Sequence, residues 1–103
     1  MAEAMSVEEL WRRLKAGEAL AVVDVRLLAT DAIAGALHVP VTDLEDQAWP
    51  FRKDQEVVVY CQHGRGASDY AAEVLEEQGF SRVRTLSGGL DAWQAWVAEH
   101  PER

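Results

Sequence analysis

Apolar residues along the chain follow two rhythms, a helical spacing and short unbroken runs, and their alternation outlines the secondary structure. Ser6-Val7-Glu8-Glu9 has the form of a capping box, in which hydroxyl and carboxylate satisfy the first free N–H groups of a helix. Val7, Leu10, Trp11 and Leu14 follow at helical spacing and Gly17 supplies a stop, so a helix is predicted over residues 7–16. Leu20-Ala21-Val22-Val23-Asp24-Val25 is an apolar run broken only by Asp24 and rich in β-branched residues, the pattern of a strand buried on both faces. Residues 27–35 carry no clear period, and Gly35-Ala36-Leu37-His38-Val39-Pro40 reads as a short strand closed by proline.

Thr42-Asp43-Leu44-Glu45 has the capping pattern of a short helix before the Trp49-Pro50 break, and a polar connection runs on through Gln55. Val57-Val58-Val59-Tyr60-Cys61 is a central-strand run, and the glycine-bearing segment from Gln62 to Ser68 leads into a helix that ends before Gly79. Arg82-Val83-Arg84-Thr85-Leu86 forms a further strand and Gly88-Gly89 a turn. Leu90, Trp93, Trp96 and Val97 then mark the apolar face of a last helix. Strands alternating with helices imply an α/β fold with a parallel sheet and helices on both faces. In such sheets ligands bind at the carboxyl ends of the strands, where Cys61 and the Ser87-Gly88-Gly89 turn both fall.

The remaining composition narrows the picture. At 103 residues and 49% hydrophobic content, the chain is expected to form a single domain over residues 1–103. A formal net charge of -8 argues against nucleic acid and anionic membrane surfaces as partners. Neither a basic segment followed by an apolar run nor a stretch near the ~18 apolar residues of a membrane span occurs, so a cytoplasmic protein is expected. The acidic clusters read as solvated helix faces and the tryptophans as core packing.

Cys61 is the only cysteine, which leaves a buried structural thiol, a reactive thiol or half of an intermolecular bridge. Its surroundings favour reactivity. Cys61-Gln62-His63-Gly64-Arg65-Gly66-Ala67-Ser68 joins a buried strand to a helix N-terminus, so consecutive N–H groups can turn inward as an anion nest, with Gly64 and Gly66 free to take positive φ. The helix dipole and Arg65 both favour thiolate. His63 is either a hydrogen-bonding partner of a bound anion or leaving group, or a solvent-facing loop residue. A metal site is not expected, because structural zinc takes four ligands and no second Cys/His pair lies near Cys61 and His63.

Several ordered segments resemble the rhodanese-like family. Val22-Val23-Asp24-Val25-Arg26 is similar to its Asp-x-Arg strand end, and Gly35-Ala36-Leu37-His38-Val39-Pro40 to its Gly-Ala-x-x-x-Pro segment. Cys61-Gln62-His63-Gly64 resembles the start of its cysteine loop, Ala71-Ala72, Leu75 and Gly79-Phe80 the helix that follows, and Leu86-Ser87-Gly88-Gly89 with Trp93 its C-terminal signature. The resemblance covers about residues 7–97 and implies a five-stranded parallel sheet and a sulfurtransferase needing no cofactor. Cys61 would take sulfur from thiosulfate or another anionic donor as a persulfide and pass it to a thiol, cyanide or a protein acceptor. Residues 62–68 would bind the donor, and Arg26 is an accessory candidate favoured as a structural partner of Asp24.

Two departures stand out. The family loop runs Cys-x-x-Gly-x-Arg-Ser, whereas here Arg65 comes one place early and Ser68 one place late, as if the loop were one residue longer. Upstream, Gly-His-Ile-Pro-Gly-Ala becomes Asp31-Ala32-Ile33-Ala34-Gly35-Ala36. A longer loop also resembles the Cys-x5-Arg phosphatases and arsenate reductases, but the sixth position after Cys61 is Ala67. That alternative ranks below sulfur transfer, and a non-catalytic binding module is the third.

Overall fold

A computed structural model describes residues 2–101. Five strands, β1 (Glu3–Met5), β2 (Ala21–Asp24), β3 (Leu37–His38), β4 (Val57–Tyr60) and β5 (Val83–Leu86), form one parallel sheet in the order β1-β5-β4-β2-β3. The helices are α1 (Val7–Lys15), α2 (Ala67–Glu77) and α3 (Gly89–Glu99), with a 3-10 helix over Val41–Asp46. The parallel α/β sheet expected from the sequence is the fold observed.

Every residue of β4 is buried, because the strand sits at the middle of the sheet with layers on both sides. Its side chains alternate between two cores. Val57, Val59 and Cys61 pack with Ala71, Val74 and Leu75 of α2 and with Leu44 of the 3-10 helix. Val58 and Tyr60 pack with Leu10 of α1 and Leu90 of α3. Ser6 caps α1 by accepting from the Glu9 N–H at 3.0 Å, as the capping box predicts.

Three details differ from the sequence reading. β1, which the sequence did not announce, is an edge strand of three residues whose register on β5 (Glu3↔Arg84, Met5↔Leu86) comes from the neighbour rather than from its own pattern. The short helix foreseen near Thr42 is a 3-10 helix that starts at Val41. Trp11 and Trp96 meet edge-to-face at 6.0 Å and are half-buried, clasping α1 to α3 at the rim of the core rather than filling its centre.

Candidate active site

The chemistry-bearing residues gather where β2 and β4 end and α2 and α3 begin. Gly64 (φ 86°) and Gly66 (φ 82°) both lie in the left-handed region, which lets the chain after Cys61 turn back on itself. The loop rests on α3. A Cβ added at Gly64 would lie 2.5 Å from the Gly88 nitrogen, and one at Gly89 2.5 Å from the Gly64 nitrogen, so the two backbones touch with no room for side chains. The first free N–H groups of α3 are consumed by this docking, Leu90 donating to the Cys61 carbonyl at 2.9 Å and Asp91 to the Gln62 carbonyl at 3.0 Å.

Cys61 is only 5% exposed. Burial pushes its thiol up, but the Ser68 hydroxyl and the backbone N–H groups of Ser68, Gly64 and His63 outweigh that and hold it below the ordinary thiol value. Sγ lies 3.3 Å from Ser68 Oγ and, as a thiol, donates to the Arg65 carbonyl at 3.3 Å. The N-terminus of α2, where Gly66 N–H donates to Asp69 Oδ2 at 3.2 Å, lies immediately beyond. A sulfur anion formed there would sit in a cradle of donors at a helix N-terminus, an arrangement suited to a nucleophile.

The loop residues separate by environment. Ser68 is fully buried in the first turn of α2 and touches the sulfur, while Ala67 opens the helix. Arg65 and His63 are exposed, and the Arg65 guanidinium enters no ion pair among the described residues. Arg26 faces inward. Its Nε and Nη2 clamp both oxygens of the fully buried Asp24 (3.0 and 2.8 Å), and its Nη1 donates to Gln62 Oε1 at 3.0 Å. Burial raises the Asp24 carboxyl, but the hydrogen bonds from Arg26 and Tyr60 hold it below its usual range. Tyr60 completes the cluster by donating to Asp24 Oδ2 at 2.9 Å and accepting the Ile33 N–H at 3.0 Å, and burial pushes its phenol up to about 12.

Asp91 escaped the sequence reading. In the first turn of α3 it accepts from Gln62 Nε2 at 2.7 Å through Oδ1 and meets His63 Nδ1 at 2.5 Å through Oδ2. Those bonds from Gln62 and His63 hold its carboxyl below the usual value. The only sequence signal was its place two residues past Gly88-Gly89, since the contact itself depends on α3 meeting the loop. Among the described residues no three His, Cys, Asp or Glu side chains gather to hold a metal ion.

The family model described as the rhodanese-like domain matches residues 6–95. Thiosulfate sulfurtransferase GlpE of Coxiella burnetii is 35% identical over 96 residues, covering 90% of this chain and 85% of that protein. The human single-domain sulfurtransferase TSTD1 is 28% identical with a TM-score of 0.80, covering 92% of this chain and 97% of that one. A NAD-dependent persulfide reductase from A. fulgidus, 28% identical with a TM-score of 0.74, is matched over 89% of this chain but only 16% of its own length.

Proposed function

The chain belongs to the rhodanese-like family and is a sulfurtransferase, and we propose that Cys61 is its nucleophile and carries sulfur as a persulfide. The observation that carries this reading is a nearly buried thiol held below its ordinary pKa by a hydroxyl and three backbone N–H groups. In the first half-reaction the Cys61 thiolate attacks the outer sulfur of thiosulfate or another anionic donor. The donor's S–S bond breaks, and sulfite departs with its electron pair when the donor is thiosulfate. In the second, a thiol, cyanide or a protein acceptor attacks the outer sulfur and the electron pair returns to Cys61. The N–H groups face negative charge in both the resting and the loaded state, so they need no rearrangement between the two.

Around this centre residues 62–68 frame the donor. Arg65 supplies the exposed positive charge that draws it in. Arg26 acts through Gln62, because Asp24 occupies most of its guanidinium. Thiosulfate as donor is supported by the name of the Coxiella relative. A cytoplasmic, reducing setting suits a lone cysteine that must return to the free thiolate after each turnover. The phosphatase alternative lacks its clamp, since Ala67 stands where a phosphate-binding arginine is required. Thiosulfate with cyanide should yield thiocyanate from the wild type and none from Cys61→Ser; release of phosphate from an aryl phosphate without thiocyanate would contradict the assignment.

A further inference from the structure

His63 and Asp91 form a pair that the docking of the loop does not require. The Leu90 and Asp91 N–H bonds and the close backbone contact of Gly64 with Gly88 and Gly89 already hold the loop on α3. The His63 side chain is 75% exposed and that of Asp91 51%, so the pair stands at the open rim. Its orientation is nonetheless fixed from the core outward. The buried Asp24 grips Arg26, Arg26 donates to Gln62 at 3.0 Å, Gln62 donates to Asp91 at 2.7 Å, and Asp91 meets His63 Nδ1 at 2.5 Å. An ionised carboxylate only accepts hydrogen bonds, so Nδ1 carries the proton, and Nε2 is the ring nitrogen left to take up and return one. The backbone N–H of this same residue points at the Cys61 sulfur, which puts the imidazole on the lip of the cradle.

Resting on the persulfide reading, we propose that His63 relays the proton of an acceptor thiol in the second half-reaction, with Asp91 as its positioning residue. The thiol S–H proton passes to Nε2. The acceptor sulfur forms a bond to the outer sulfur as the bond between that sulfur and Cys61 Sγ breaks, and its electron pair stays on Cys61 as thiolate. Nε2 then returns the proton to the transferred sulfur, giving an acceptor persulfide R–S–SH. One proton and one sulfur change place, and the overall charge is unchanged. The acceptor class this favours is a protonated thiol, whose sulfur is a poor nucleophile until a base removes its proton.

The test uses the full chain loaded with thiosulfate, freed of excess donor and mixed in mildly alkaline buffer with either a simple alkyl thiol or sulfite, with sulfur loss followed by rapid-quench mass measurement. Sulfite brings no proton to remove, so it reports any general damage to the loop. The ratio of thiol to sulfite transfer rates should fall about 100-fold in His63→Gln and about tenfold in Asp91→Asn. Free imidazole should restore the thiol rate of His63→Ala, because the site is open. Rates to both acceptors falling together, or neither falling, overturns the relay while leaving the persulfide standing. A wild-type chain that takes up no sulfur overturns both.

Discussion

At the scale of single residues, Cys61 is governed by two opposed effects. Burial disfavours the thiolate, and the Ser68 hydroxyl with three backbone N–H groups more than compensates. Arg65 belongs to a different class of contact, exposed and reaching toward solvent. On the proposed reading such a charge would steer and hold a divalent donor without touching the breaking bond, so Arg65→Ala should raise KM for thiosulfate about fivefold while kcat changes far less. Steady-state kinetics check this, and an unchanged KM would remove Arg65 from donor binding. Arg26 contrasts with it, because the Asp-x-Arg spacing made local pairing with Asp24 legible, whereas the reach of Nη1 to Gln62 appears only once β2 and β4 lie side by side.

Among the elements, legibility followed burial. β4 is buried on both faces and its sequence is apolar throughout, so both its identity and its central place could be read directly. β1 borrows its pairing from β5, because three residues carry no period of their own, whereas β3 was read from the proline that closes it although only Leu37 and His38 pair with β2. The cysteine loop was recognisable from its glycines and its place between strand and helix. The docking of α3 against it, and with it Asp91, was not, because that contact joins residues 28 and 29 positions apart. Gly89 holds this contact at φ 60° with the Gly64 nitrogen 2.5 Å from where a Cβ would lie. Gly89→Ala should therefore cost about 2–3 kcal/mol of stability in denaturant unfolding and displace the cysteine loop, lowering activity in step.

For the whole molecule, the candidate site and the main ion-pair cluster occupy opposite ends of the sheet. The carboxyl ends hold Cys61, while at the amino ends Glu56 gathers Arg13 at 2.6 Å and Arg82 at 3.2 Å, and Arg84 binds Glu9 at 2.9 Å, tying α1 to β4 and β5. Hydrogen bonding from Arg13, helped by the Arg82 and Arg84 charges, holds the Glu56 carboxyl below its ordinary value despite burial. A lowered native pKa stabilises the fold at every pH above the unfolded carboxylate range, and that contribution fades as pH falls through the native value. Glu56→Gln should accordingly lose about 3 kcal/mol at neutral pH, and its deficit against the wild type should shrink below about pH 4 in urea titrations. A deficit constant across that range would contradict the linkage.

Whether the Cys61 cradle stores sulfur as a persulfide is read out by intact-mass measurement after incubation with thiosulfate and removal of excess donor. The wild type should gain the mass of one sulfur atom and lose it again on addition of a thiol, with Cys61→Ser unchanged. A wild type that gains nothing, or a Cys61→Ser chain that gains the same mass, would contradict it.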